Sequence, residues 1–279
     1  MARTAHRFSR LAKSSRSCLS QFMERGVRST LCPKSLDSRL NRWRCVVCGA
    51  KNHSTELNRE GMLCRFCGST WRARAMVLGV LETLGYVGVP LSLVSADHSL
   101  CGIGVSDDRV VAKALYDKFH YVNTFLHQYP TLDIRNVTDE FRGTARFVTC
   151  SDVLEHISPP AERALIGLRS LISSDGAIVI SVPHVPSGET QEFYPGLVEY
   201  DIRGSVLRWK DTDGMEHCDE SPEFHGGSGL TLAFRLWSLE GLTASLYSAG
   251  FRKVSFVSLN SELGVPPLGP GDAVVVAHG

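Results

Sequence analysis

The chain has 279 residues, 43% of them apolar, and a formal net charge of +1. That length and apolar content suit one large domain, or a small module plus a large one. Near-neutral charge excludes a global field that would gather nucleic acid or membrane, and no apolar run approaches ~18 residues, so no transmembrane helix is expected.

Charge is uneven at the start. Residues 1–44 hold eleven Lys and Arg against Glu24 and Asp37 and are rich in serine. They lack the apolar stretch of a secretory signal. A basic, flexible arm on a cytoplasmic protein is the expectation, with a mitochondrial presequence or a polyanion-binding tail as the alternatives.

Residues 45–70 follow as a small Cys-bearing module. "CVVCGAKNHSTELNREGMLCRFCGS" carries two Cys-x-x-Cys pairs, Cys45/Cys48 and Cys64/Cys67, separated by fifteen residues, with Gly49 and Gly68 directly after each pair. Each pair sets two thiolates on one knuckle, and two knuckles complete the tetrahedral sulfur site that structural zinc accepts. Cys18, Cys32, Cys101, Cys150 and Cys218 are scattered and read as free thiols. Zinc ribbons often grip nucleic acid, and Arg44, Lys51, Arg65, Arg72 and Arg74 lie nearby. Aromatic interleaving is sparse, so a scaffolding role is favoured over nucleic-acid binding.

A linking helix is predicted within 71–90. Ser69 or Thr70 can cap it, Met76, Val77, Val80, Leu81 and Leu84 recur at helical spacing, and Gly85 and Gly88–Pro90 end it. From residue 91 apolar strands alternate with helical patterns to the end of the chain. The predicted strands are "LSLVSA" (91–96) or "CGIGVS" (101–106), "YVNTFL" (121–126), "RFVTCS" (146–151), "AIVISVP" (177–183), "KVSFVSL" (253–259) and "AVVVA" (273–277). Helices are predicted over 109–119, 160–173 and 238–249. Near-continuous apolar strands alternating with helices predict an α/β fold, with a parallel sheet covered on both faces. No helix separates the last two strands, which predicts a closing antiparallel hairpin.

In open α/β sheets ligands bind at the carboxyl ends of the strands. "TCSDVLEHI" places Ser151, Asp152, Glu155 and His156 there. "SDVLEHI", then "LISSDGAIVISVPH", then "WSLEGLTASLYSAGF" stand in order, and together resemble the class I S-adenosylmethionine-dependent methyltransferases of the type-11-like subgroup. The Cys knuckles followed by "STWRARA" are similar to zinc-binding segments that precede some members. The resemblance covers residues 91–279. It implies a Rossmann-like, mostly parallel seven-stranded sheet with an antiparallel last strand, and S-adenosylmethionine as cofactor.

Carried over residue by residue, the resemblance implies cofactor contacts from Gly102, Gly104 and Ser106 in "CGIGVSDD", from Asn123 or His127 at the ribose, from Asp133 in "LDI" at the adenine, and from Ser151 and Asp152. The family's glycine loop is incomplete here: Ser106 stands at the third glycine, and no carboxylate precedes Gly102. An insertion, 184–237, is expected to form an acceptor lid lined by His184, Glu189, Tyr194, His225 and Arg235, with "HGGSG" folding closely around His225. A hydroxyl acceptor would need a base, and His156, His184 and His225 are the candidates. The expected function is therefore methyl transfer to a small molecule or glycan. The alternative is a catalytically inactive methyltransferase fold that uses the zinc element to bind a partner or nucleic acid.

Overall fold

In the computed structural model, residues 42–54, 58, 62–225, 231–269 and 272–279 are described. The basic arm up to residue 41, Cys18 and Cys32, and the "GGSG" after His225 lie outside them. Among the described residues no helix is long and apolar enough to cross a membrane.

The described chain opens with a short antiparallel hairpin, β1 (Arg42–Arg44) and β2 (Lys51–His53), around the first Cys pair. Helix α1 (Trp71–Thr83) follows the second pair. Thr70 caps it, its hydroxyl accepting from the Ala73 N–H at 3.1 Å. Trp71 and every residue from Ala73 to Leu81 are buried, because α1 is covered by the knuckles on one side and by the sheet on the other. The Trp71 indole N–H donates to the Pro266 carbonyl at 2.9 Å.

The central sheet comprises β3 (Asp97–Val105), β4 (Phe119–Thr124), β5 (Ala145–Ser151), β6 (Ile172–Ser181), β15 (Lys253–Phe256) and β16 (Val275–His278), in the spatial order β15-β16-β6-β5-β3-β4. Its β4, β3, β5 and β6 pairings are parallel; β16 runs antiparallel to both β6 and β15. The closing hairpin is therefore present. Alternate residues of each strand enter two cores. Phe147, Ala177 and Val179 face α1 and α2 (Arg109–Tyr116), whereas Val148, Cys150, Ile178 and Ile180 face α3 (Glu162–Leu171) and α4 (Leu239–Ser248). Cys45, Val46, Met62 and Cys64 share the first core with Trp71, Phe119 and Val179.

One alternative is resolved and one expectation corrected. Of the strand candidates, "LSLVSA" holds a 3₁₀ turn (Leu91–Leu93), and "CGIGV" is the end of β3. The sheet has six strands among the described residues rather than the seven that the resemblance implies, and "LDI" is a turn outside it. The Asp133 carboxylate accepts from the Arg135 N–H at 2.9 Å, and the Asp133 carbonyl accepts from the Asn136 N–H at 2.9 Å. That Asx-type turn bends the backbone away from ladder geometry, while Leu132 and Ile134 still bury their side chains in the second core.

Among the described residues the regular elements of the insertion are all strands. Strands β7 (His184–Val185), β14 (Arg235–Ser238) and β8 (Gln191–Glu192) make one small sheet. Strands β9 (Glu199–Arg203), β10 (Val206–Lys210) and β11 (Glu216–Asp219) make a second, and β12 (Phe224–His225) pairs with β13 (Thr231–Leu232). Tyr194, Leu197, Leu207, Leu232 and Phe234 form its own core.

Candidate active site

The direction of chain progression reverses between β3 and β5, so the crevice at their carboxyl ends is the ligand position this topology favours. Ser106 leaves β3 at φ 59° and Asp152 leaves β5 at φ 53°. These are the two positive-φ residues other than glycine among the described residues, and such backbone strain gathers at functional sites. The Asp152 N–H donates to the Ser181 carbonyl at 2.9 Å, and the Ser151 and Ser181 hydroxyls are 2.8 Å apart. The Asp152 carboxylate is held by the Arg72 guanidinium, which reaches it from the first turn of α1.

The glycines lie elsewhere than expected. Gly102 and Gly104 sit within β3, not in a loop after it. A Cβ on Gly102 would fall 2.3 Å from the Phe147 ring, and one on Gly104 would fall 2.0 Å from the Tyr121 hydroxyl and 2.6 Å from Asn123 Oδ1. The space they leave is filled by the protein's own side chains. A Gly104→Val variant therefore tests the packing of this core rather than a cofactor path. Even Gly104→Ala should destabilise the fold by about 1–3 kcal/mol in chemical denaturation.

The loop is replaced by the turn Ser106–Asp108, in which Asp108 caps α2. Both ends of the Asn123 amide are occupied by this turn, accepting from the Asp107 N–H at 3.0 Å and donating to the Asp107 carbonyl at 3.0 Å. The Asp107 side chain is buried and accepts hydrogen bonds from the Tyr121 and Thr149 hydroxyls. Burial pushes its carboxyl up to about 6, the two hydroxyls pulling the other way.

A second polar cluster follows β5. A short turn, 154–156, carries Glu155 and His156. Arg235 of β14, itself buried, straps the turn by donating to the Leu154 and Ile157 carbonyls at 2.8 and 2.7 Å. The Phe234 N–H donates to the Glu155 carbonyl at 2.8 Å. The Glu155 side chain is fully buried, and neither carboxylate oxygen has a hydrogen-bond partner from another residue. Burial pushes this carboxyl up to about 7 and the His156 imidazole below its ordinary value. His156 Nδ1 lies 2.8 Å from the Leu232 carbonyl, and His156 Nε2 lies 3.2 Å from His225 Nδ1.

The fold thus joins His156 to His225 across sixty-nine positions. His184 stands apart from this pair, its Nδ1 2.8 Å from the Val182 carbonyl. Asp133 is paired with Arg135, which holds its carboxyl below the ordinary range although burial opposes this. Of the expected lid residues, Tyr194 is buried in the insertion's own core, and Arg235 is the strap just described.

The four cysteines converge. Cys45 and Cys67 sulfurs are 3.7 Å apart, those of Cys48 and Cys64 3.6 Å, and all four lie within 4.8 Å of one another. Two sulfurs bound to one tetrahedral zinc at ~2.3 Å are separated by about 3.8 Å, so the set fits zinc. The Gly49 and Gly68 N–H groups close the knuckles onto the Cys45 and Cys64 carbonyls at 2.8 and 2.9 Å, both glycines at positive φ. Buried Arg74 stacks on Trp43, 4.2 Å from the ring centroid.

Arg72, Asp107, Tyr121 and Thr149 were not singled out as site residues from sequence. For Asp107 a signal existed: it follows an apolar strand as Asp152 does.

No family model and no curated protein matches the chain. Among solved structures, it is similar to an S-adenosylmethionine-dependent methyltransferase from Clostridium acetobutylicum, at 10% identity and TM-score 0.43, covering 75% of this chain and 92% of that one. It is also similar to an amino pentose methyltransferase from Micromonospora echinaspora, at 14% identity and TM-score 0.43, with the same coverage. A third is DesVI of Streptomyces venezuelae, at 12% identity and TM-score 0.41, covering 75% of this chain and 94% of that one. At such identities and scores, a functional reading has to rest on this chain's own sheet order and side chains.

Proposed function

We propose that the chain is an S-adenosylmethionine-dependent methyltransferase acting on a small molecule or glycan. The observation that carries this reading is where "SDVLEHI" sits. It leaves β5 at the switch point of a doubly wound sheet closed by an antiparallel hairpin, and the insertion straps it through Phe234 and Arg235. Both the motif and the sheet plan are those of the family the sequence resembles.

The cofactor supplies a methyl group on a sulfonium. The chain's own part is to align the reactants and exclude water. In this reading the Ser106–Asp108 turn and Ser151–Asp152 line the cofactor crevice, Arg72 fixes the Asp152 carboxylate, and the acceptor enters beside His156 and His225. The four cysteines hold one structural zinc that anchors α1, and through it Arg72.

One observation favours a second reading, a methyltransferase fold that binds a partner without turnover. Phe147 and Tyr121 occupy the space beside Gly102 and Gly104, where the family's glycine loop would admit the cofactor. Calorimetric titration with S-adenosylmethionine separates the two. Saturable binding in the micromolar range is expected of the enzyme; no heat of binding from folded, zinc-loaded protein would leave only the binding module.

A further inference from the structure

The geometry points to a second metal site, distinct from the four cysteines, in which Glu155 Oε1, His156 Nε2 and His225 Nδ1 bind one first-row divalent cation of the zinc, cobalt or iron type. The three atoms form a triangle with edges of 3.2 Å between the two nitrogens, 3.6 Å from His156 to Glu155, and 3.8 Å from His225 to Glu155. The point equidistant from all three lies about 2.1 Å from each, the length of a zinc–nitrogen or zinc–oxygen bond.

Two further features distinguish this trio from a set of neighbouring polar side chains. Glu155 is fully buried, and its carboxylate oxygens accept no hydrogen bond from any other residue. A network held by protons alone would draw Oε1 onto a ring N–H at roughly 2.7–3.2 Å. Oε1 instead stands off from both rings at the spacing of co-ligands. A buried carboxylate left without a proton donor is costly unless a cation faces it; Arg72 and Arg235 act on it electrostatically, but Arg72 is paired with Asp152, and Arg235 with Glu192 and the Leu154 and Ile157 carbonyls. The second feature is the orientation of His156. Its Nδ1 lies 2.8 Å from the Leu232 carbonyl, which can only accept. The Nδ1 therefore carries the proton, and the Nε2 lone pair is turned toward Glu155 and His225. A backbone carbonyl behind a ligating imidazole is the usual outer-shell arrangement of protein metal sites.

Two imidazoles and one carboxylate leave coordination positions open, as catalytic zinc and non-haem iron sites do. What those positions do rests on the methyltransferase reading; that the cation binds does not. On that reading they receive an oxygen of the acceptor. A hydroxyl bound there loses its proton to solvent more readily. The resulting oxyanion forms the bond to the methyl carbon, and the breaking carbon–sulfur bond leaves its electron pair on sulfur. The acceptor class is thereby narrowed to an alcohol or phenol.

The test uses the full chain with its cysteine site zinc-loaded and loosely held metal removed by dialysis, titrated with Co²⁺ and followed by visible absorption. The expected result is one further equivalent, marked by weak d–d bands without the intense thiolate-to-cobalt charge transfer that four cysteines would give. His225→Ala, at a half-buried position on a two-residue strand, should keep the fold and weaken that equivalent ~100-fold or more, since even outer-shell losses cost 10–100-fold. Glu155→Gln, isosteric, should do the same. His225→Cys should restore binding and add a charge-transfer band. Absence of the extra equivalent in the parent, or equal affinity in His225→Ala, overturns the site. The same samples titrated with S-adenosylmethionine keep the two readings apart. Cobalt binding without cofactor binding upholds this site and removes the methyltransferase reading; cofactor binding without the cobalt site removes only this site.

Discussion

Replacing Cys64 with Ser should strip the protein of the zinc expected at its four cysteines and destabilise the whole described unit, by about 4 kcal/mol or more, the range in which lost metal ligands fall. The knuckles do not form a separate lobe. Cys45 and Cys64 are buried with Val46 and Met62 in the same core as Trp71, Phe119 and Val179. Backbone hydrogen bonds tie that segment outward: the Leu91 N–H donates to the Val46 carbonyl at 2.7 Å, and the Val46 N–H donates to the Leu263 carbonyl at 3.3 Å. Four thiolates around one zinc carry a net negative charge. Arg74, buried beside them, offsets part of it; its guanidinium, lowered by burial to about 10, remains charged. Without metal, that charge faces a loosened pocket. After dialysis to remove loosely held metal, elemental analysis should find one equivalent of zinc in the parent and none in the variant, and denaturation followed through the β-sheet signal should show a lower midpoint. An unchanged midpoint in a zinc-free variant would falsify the anchoring role and leave the metal a local clip.

Some of this architecture was legible in the sequence, for identifiable reasons. "RFVTCS" and "AIVISVP" read as apolar almost throughout because each strand is covered on both faces, Phe147 and Val179 by α1, and Val148 and Ile178 by α3 and α4. The cysteine cluster was legible because a short spacing carries its whole geometry. The glycines misled, since a G-x-G inside a strand and one in a loop read alike. Telling them apart required Tyr121 and Phe147, aromatic residues from neighbouring strands that fill the glycine space. The polar clusters were half legible. Asp152, Glu155 and His156 stood out after a strand, while Arg72 meets Asp152 across eighty positions and His225 meets His156 across sixty-nine. No local pattern records such pairings; they arise from α1 lying over the sheet and from the β12–β13 hairpin folding back to the β5 turn.

Asp107 should make the stability of this fold depend on pH in a direction opposite to that of an ordinary paired carboxylate. Its folded-state value of about 6 lies above the ordinary 3.8, the chief cause being burial. A carboxyl whose value is raised by folding binds its proton more tightly in the native state. Well below pH 4 it is protonated in both states and contributes no penalty. As the pH rises through 4 to 6 the unfolded chain releases the proton and the native state resists, so stability falls. Above 6 the penalty is complete, about 3 kcal/mol at 1.36 kcal/mol per unit. Other carboxylates titrate over the same range, so the measurement is a difference. Asp107→Asn keeps the side-chain shape and an oxygen to accept from the Tyr121 and Thr149 hydroxyls, but it cannot ionise. Its stability relative to the parent should rise by roughly 2–2.5 kcal/mol between pH 4 and 7 in urea denaturation. Tyr121→Phe supplies the control, because it removes a donor that favours the charged form, and the profile should steepen relative to that of the parent. If the parent and Asp107→Asn curves run parallel from pH 4 to 7, water reaches the carboxylate in the native protein, and the strand-end crevice beside it is wetter than its packing implies.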